Sequence, residues 1–348
     1  MIFHQDLIVP IFFSIFISFV LFYFFKINNF LVDQVNSSNH KQLTAQKSPT
    51  KSILCGGIII FLGCVLFFDV ELYIIKILSG SILFVGILSD INKLNSPKFR
   101  IISQFFIVLL LLLFNKNLAI VDLRINFIND ILQIKFFSIS FTIFCILILI
   151  NGSNFLDGIN TLVIGYYLIV LSVIIALSNE FNLYLNPNIF YLIIFLSIVF
   201  LFNFFNKIYL GDAGSYLISF LSAFFLLDFI SKNDLISPYF ICLLLWYPAF
   251  ENFFSIIRRV FSKKKLDKPD QKHLHQMIYS FLSYNKLLNK RHTNTATGII
   301  INLFNVIILF FSYKYYLVTE SLVIVILFNI SIYLLLYFFI KKQLNHFN

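Results

Sequence analysis

Apolar residues fill this chain in long unbroken runs, and polar residues gather in short clusters between them. Runs of about 17–22 apolar residues, the length that crosses a bilayer, recur near 7–25, 53–69, 71–89, 99–115, 136–151, 158–178, 187–203, 214–231, 236–257, 296–314 and 318–340. The pattern predicts an all-α polytopic integral membrane protein of about 10–11 transmembrane helices, with the second and third joined by a tight hairpin around Asp69–Glu71. The first run has no basic flank and no small-residue cleavage signal, so a retained helix is expected and not a signal peptide. Between 116 and 135, alternating Val121, Leu123, Ile125 and Phe127 suggest a small β-hairpin. With no internal repeat and no low-complexity linker, residues 1–348 read as a single membrane domain.

Composition agrees with lipid as the solvent. The chain is 59% hydrophobic and 12% charged, with a mean hydropathy of +0.90, and no soluble core of this size hides that much apolar surface. The net charge of +10 does not call for a nucleic-acid partner, because the basic residues sit in loops between the runs. Loops after odd-numbered helices, with the C-terminus, hold 20 Lys and Arg, and loops after even-numbered helices hold 5. The positive-inside rule makes the first set cytoplasmic and leaves the N-terminus outside. Cys55, Cys64, Cys145 and Cys242 are far apart in apolar segments and read as small buried hydrophobes.

Four polar clusters end apolar runs: Gly86 to Asp90, Asn151 to Gly158, Lys207 to Ser215, and Pro269 to His275. They follow the third, fifth, seventh and ninth helices, so all four are expected on the cytoplasmic face. Each alone passes for a solvated turn. Together they are carboxylates, amides and histidines kept beside a hydrocarbon core, which marks function. Carboxylate and amide oxygens near phosphates suit Mg²⁺. Glycines beside Asp157 and Asp212 let a ligand approach the backbone. His273 and His275, beside Arg258, Arg259 and Lys263 to Lys265, make an anion-attracting patch. A zinc site at His-Leu-His would need two further ligands that the spacing does not supply. Residues 258–295 form a basic loop. Within it, Leu274, Met277, Ile278, Phe281 and Leu282 fall near helical spacing, as in an amphipathic helix on the leaflet or in a plain solvated loop.

In these clusters the sequence resembles the polyprenyl-phosphate N-acetylhexosamine-1-phosphate transferases, the relatives of phospho-N-acetylmuramoyl-pentapeptide transferase. Gly86 to Asp90 is similar to that family's Gly-x-x-Asp-Asp, and Pro97 to Arg100 to its Pro-x-x-Arg. Asn151, Asn154, Asp157 and Gly158 resemble Asn-x-x-Asn-x-x-Asp-Gly, and Lys207 to Ser215 resembles Lys-x-x-x-Gly-Asp-x-Gly-Ser. Pro269 to His275 resembles Pro-Asp-x-x-His-x-His. Weaker similarity reaches Leu31 to Asp33, Asn36, Pro49-Thr50, Gly56-Gly57 and Thr297-Gly298. The last motif lacks the three-histidine run of the peptidoglycan branch and is similar to the branch serving O-antigen, teichoic acid and other envelope polysaccharides.

The resemblance implies transfer of a sugar-1-phosphate from a UDP-N-acetylhexosamine to undecaprenyl phosphate with release of UMP, at the cytoplasmic face of a bacterial inner membrane. It implies Mg²⁺, with Mn²⁺ as a substitute, held by Asp212 with Asn154 as amide partner. Asp90 orients the acceptor or a metal-bound water, and Asp157 supports the metal or orders its loop. His273, His275, Arg258 and Arg259 hold the pyrophosphate. Asn160 contacts uracil, and Asn151, Lys207, Lys98 and Arg100 complete the substrate-binding set. Three positions depart from the family pattern: Ser89 replaces the first of two Asp, Glu251 stands where many relatives carry Asp, and Asn160 replaces a frequent Asp. Glu251 reads equally as a buried structural acid and as a catalytic one. The other functions left open are the peptidoglycan transferase, a catalytically degenerate homologue and a lipid-linked transporter, although transporter sites favour midplane broken helices and inverted repeats. The small-residue stretch Gly56-Gly57 to Gly63 is of the kind that packs helices, and a homodimer is among the expected partners.

Overall fold

A computed structural model describes residues 7–33, 52–262, 272–285 and 290–347. All eleven apolar runs form helices. In chain order the α-helices are α1 (Ile8–Asn28), α2 (Gly56–Phe67), α3 (Tyr73–Asp90), α4 (Pro97–Phe114), α5 (Asn126–Leu132), α6 (Lys135–Leu156) and α7 (Leu162–Phe181). They continue with α8 (Asn188–Phe204), α9 (Gly211–Ser231), α10 (Pro238–Leu244), α11 (Trp246–Phe261), α12 (Leu274–Tyr284), α13 (Lys290–Ser312) and α14 (Thr319–Phe347). Among the described residues eight helical segments are long and apolar enough to cross a membrane, and α10 with α11 forms a ninth that is bent by 75°. The two remaining runs, α2 and α8, are shorter apolar helices. Large apolar side chains such as Phe12, Phe16, Phe106 and Phe311 cover the outside. The chain is a multi-pass membrane protein.

Helix α9 is the axis of the bundle. Every residue from Gly211 to Phe229 is buried, and α2, α3, α6 and α7 pack around it. Small residues make that possible, because they let helix backbones approach without lipid-facing bulk. A Cβ on Gly86 of α3 would lie 2.3 Å from Ala213 Cα, and one on Gly57 of α2 would lie 2.7 Å from Gly214 Cα. Gly63 likewise faces the ring of Phe195 in α8. The stretch Gly56 to Gly63 is therefore spent on contacts within the chain.

The break between α10 and α11 has a local cause. Pro248 has no N–H, so the carbonyl of Leu244 four residues earlier loses its helical donor. Tyr166 of α7 replaces it, its hydroxyl donating to Leu244 O at 2.7 Å. A broken helix inside a bundle is tolerated when neighbours re-satisfy the freed groups in this way. Gly152 of α6 sits against the break; a Cβ there would meet Pro248 O at 2.1 Å.

The hairpin expected between 116 and 135 is not formed. The segment holds a 3-10 turn (Lys116–Leu118) and the helix α5. Side chains take the place of a strand partner: Asp122 Oδ1 accepts from Arg124 N and Asn129 Nδ2, and Asn129 Oδ1 accepts from Leu123 N. The described strands are β1 (Val32–Asp33) and β2 (Ser52–Ile53), paired antiparallel. Ile208 joins β2 by a parallel bridge, which ties the chain just before α9 to the loop after α1. Of the cysteines, Cys55 and Cys64 are buried, Cys145 is half-buried and Cys242 is exposed, contrary to expectation, because α10 turns its opposite face, with Phe240, Leu243 and Leu244, to the core.

Gly86→Ala is expected to cost about 1–3 kcal/mol, the range for overpacking a tight contact, and to lower the melting temperature in detergent. Gly80→Ala is the control: its methyl would meet only the ring edge of Phe61 at 3.0 Å. It should melt close to wild type.

Candidate active site

Helix α3 ends on Ser89 and Asp90, and both side chains reach the N-terminus of α9. Asp90 Oδ1 accepts the N–H of Asp212 at 2.8 Å and Oδ2 accepts that of Ala213 at 3.1 Å. These amides belong to the first turn of α9, where backbone donors have no helical partner. A carboxylate there also meets the positive end of the helix dipole. Gly211 enters the helix at φ +68°, and a Cβ on it would lie 2.5 Å from the Asp90 carboxylate. The turn therefore requires glycine for both conformation and space.

That cap presents Asp212, which is nearly buried, to three other segments. Ser89 Oγ donates to Asp212 Oδ2 at 2.6 Å. Arg100 Nη1, from the first turn of α4, donates to Ser89 Oγ at 2.9 Å and to Asp212 Oδ2 at 3.0 Å. Asn154 Nδ2, at the end of α6, donates to Asp212 Oδ1 at 2.7 Å and to Ser215 Oγ at 3.2 Å. An aspartate at position 89 would set two carboxylates side by side, an arrangement that demands a proton or a cation. Serine instead supplies a donor.

The fourth cluster closes on the second. His273 is the N-cap of α12, with its backbone carbonyl accepting from Met277 N at 3.0 Å. Its ring packs on Phe155 at 5.2 Å and on His275 at 5.5 Å between centroids. A Cβ on Gly158 would stand 3.8 Å from His275 Nε2. His273 Nδ1 bonds Glu251 Oε1 at 2.9 Å, and both residues are buried. Arg258 Nη1 donates to the carbonyl of Lys272, and at 3.2 Å to the hydroxyl of Tyr337. Arg259 is buried. Pro269 to Gln271 and Lys263 to Lys265 lie outside the described residues. The expected amphipathic helix is α12, packed against α13 and α14.

The remaining candidates are placed less centrally. Asn151, one turn before Asn154, donates to Gln104 Oε1 at 3.0 Å and to Leu147 O at 2.8 Å, so it joins α6 to α4. Asn160 donates to Asn206 Oδ1, and its N–H donates to Asn294 Oδ1 at 2.8 Å. Its neighbour Thr161 has φ +67°, strained for a β-branched residue. Asn203 accepts the Thr161 N–H at 2.6 Å, and Asn302 donates to the Thr161 carbonyl at 2.9 Å. Gly298 leaves room for this turn, since a Cβ there would lie 2.2 Å from Asn160 O. Asp157 is half-buried at the end of α6, and Lys98 and Lys207 are exposed. No sequence signal pointed to Gln104 or to Tyr333, whose hydroxyl donates to Glu251 Oε2 at 2.7 Å.

Among the described residues no group of three or more His, Cys, Asp or Glu side chains is placed to hold a metal. Asp212 and Asn154 nonetheless offer one carboxylate and one amide, the hard-oxygen set that suits Mg²⁺ when phosphates and water fill its other positions. Asn154 faces Asp212 through nitrogen, so as a cation ligand it would use its amide oxygen.

Asp90→Ala should destabilise the protein by about 0.5–2 kcal/mol, the scale of losing a helix cap, and Asp90→Asn, which keeps one of the two accepting oxygens, by less. Thermal unfolding in detergent reads both. Equal melting of Asp90→Ala and wild type would show that the cap does not hold α9.

No curated protein matches the chain at a significant level. The first three clusters and the Asp212 cap all lie within residues 72–230, which match the model of the glycosyl transferase family 4. That segment is thus similar to this family, one of polyprenyl-phosphate sugar-1-phosphate transferases.

Proposed function

We propose that this phosphoglycosyl transferase moves an N-acetylhexosamine-1-phosphate from a UDP-sugar to undecaprenyl phosphate and so initiates an envelope polysaccharide. The observation that carries the reading is the convergence of α3, α4, α6 and α9 on Asp212, with His273 and His275 beside the same α6 terminus. In the proposed reaction an oxygen of the acceptor phosphate attacks the β-phosphorus of the donor. The bond from that phosphorus to the bridging oxygen breaks, and UMP leaves with the bridging oxygen. No covalent enzyme intermediate is needed, because positioning and charge neutralisation do the work in phosphoryl transfer.

Mg²⁺, when bound through Asp212 and Asn154, would neutralise charge on the donor pyrophosphate. Arg100 holds Asp212 in place and stands within reach of phosphate oxygens that approach that carboxylate. His273 and His275 offer ring nitrogens to the pyrophosphate, with Arg259 on the adjoining helix. Ser89 does not act as a base, and none is required: the second pKa of a phosphate monoester is about 6, so the acceptor arrives mostly dianionic. The excess of basic residues in the loops at this end supports a cytoplasmic site in a bacterial inner membrane. The His-Leu-His motif favours the polysaccharide branch over the peptidoglycan one.

UMP release by purified protein, given undecaprenyl phosphate, Mg²⁺ and a panel of UDP-N-acetylhexosamines, tests the reading. Release is expected with one donor, and Asp212→Ala should reduce it by about 10²–10³, the scale of losing one preorganised electrostatic partner. Silence across the panel with the acceptor lipid bound would replace this reading with that of a catalytically silent homologue. Transport of the UDP-sugar into liposomes without UMP would replace it with a transporter.

A further inference from the structure

Glu251 is fully buried in α11 and shares its two oxygens between two partners, His273 Nδ1 at 2.9 Å and the Tyr333 hydroxyl at 2.7 Å. A carboxylate taken out of water is costly unless it is paired and hydrogen-bonded, so the chain maintains this pair against an apolar alternative. Its surroundings are built to fix one ring. Phe155 covers one side of the His273 imidazole and His275 lies nearly parallel to it, with 16° between the ring planes. Nε2 has no hydrogen-bond partner among the described residues.

Tyr333 is itself held. It stands on α14, edge-on to Phe250 at 4.9 Å and parallel to Tyr337 one turn along, with 6° between their planes. Tyr337 in turn meets Arg258, which donates to the carbonyl of Lys272, the residue before His273. The last helix thus braces both the side chain of His273 and the backbone that carries it. All of these residues lie outside the matched segment 72–230.

We propose that Glu251, clamped by Tyr333, is a positioning residue for the transfer reaction. It accepts Nδ1–H of His273 and leaves Nε2 as the atom presented to a phosphate oxygen of the donor. Hydrogen bonding at one ring nitrogen sets the role of the other, and the buried carboxylate supplies the counter-charge for a ring that donates from both. The assignment rests on the UDP-sugar reading above.

A double-mutant cycle on UDP binding, measured by calorimetry with Mg²⁺ present, tests it. Glu251→Gln should weaken UDP binding by about tenfold, the scale of one charge-assisted hydrogen bond, and Tyr333→Phe should act in the same direction with a smaller effect. In a His273→Ala background both substitutions should have no further effect. A loss of equal size in both backgrounds would mean that Glu251 only holds the fold, and would overturn the proposal. If Glu251→Gln fails to fold, Tyr333→Phe carries the cycle. If wild type binds no UDP, the donor reading falls, and the ¹⁵N signals of His273 in the ligand-free protein decide separately. A Nδ1 signal shifted by Glu251→Gln supports the positioning role, and an unchanged one overturns it.

Discussion

Everything at the polar end of this bundle depends on how closely α3 can approach α9. With no side chain at Gly86, the backbones meet at a distance that a single methyl would prevent. That approach brings the Asp90 carboxylate onto the first amides of α9. The cap then fixes the rotation of α9 at its start, and with it the direction of Asp212. Ser89, Arg100 and Asn154 reach Asp212 from three helices because the acid is held at a capped helix terminus. A packing constraint in an apolar region thus sets the geometry of a polar one.

The second organising feature is the break at Leu245. The 75° bend, enforced by Pro248 and stabilised by Tyr166, lays α11 against α6 so that Gly152 meets the Pro248 carbonyl. Glu251 follows three residues later and is delivered beside Phe155 and His273. The matched segment contributes the Asp212 half of the candidate site, and the chain beyond it contributes the histidine half.

Much of this was legible in the sequence, for a physical reason. Lipid imposes a length on most apolar runs, so the eleven helices could be placed from hydropathy, although α2 and α8 are shorter than the spans. Acids and amides survive beside such runs only with partners, so the four clusters stood out. Less legible was anything decided by which atom meets which. Ser89 read as a loss, and the structure gives its hydroxyl to Asp212. Asn151 matched a family position and Asn160 stood where an Asp is frequent, yet their amides are tied to Gln104 and Asn206. Tyr333 is one of 17 tyrosines in a chain with 47 phenylalanines, and no periodicity separates it from the lipid-facing aromatics. The alternation of 121–127 mimicked a strand because period-two patterning does not reveal whether a pairing partner exists.

The trio of Ser89, Arg100 and Asp212 carries a consequence for how anions reach this end of the molecule. A guanidinium and a carboxylate in contact, bridged by a neutral hydroxyl, form a dipole with no net charge of its own beside the Asp90 carboxylate. Its field dies away within a few ångströms and does little to draw in a phosphate from solution. Long-range attraction falls instead to exposed cations such as Lys98 and Lys207, whose reach in physiological salt is about 8 Å. Long-range attraction of anions and the fixing of Asp212 thus rest on different charges: exposed lysines that salt can screen, and a largely buried contact that it screens less.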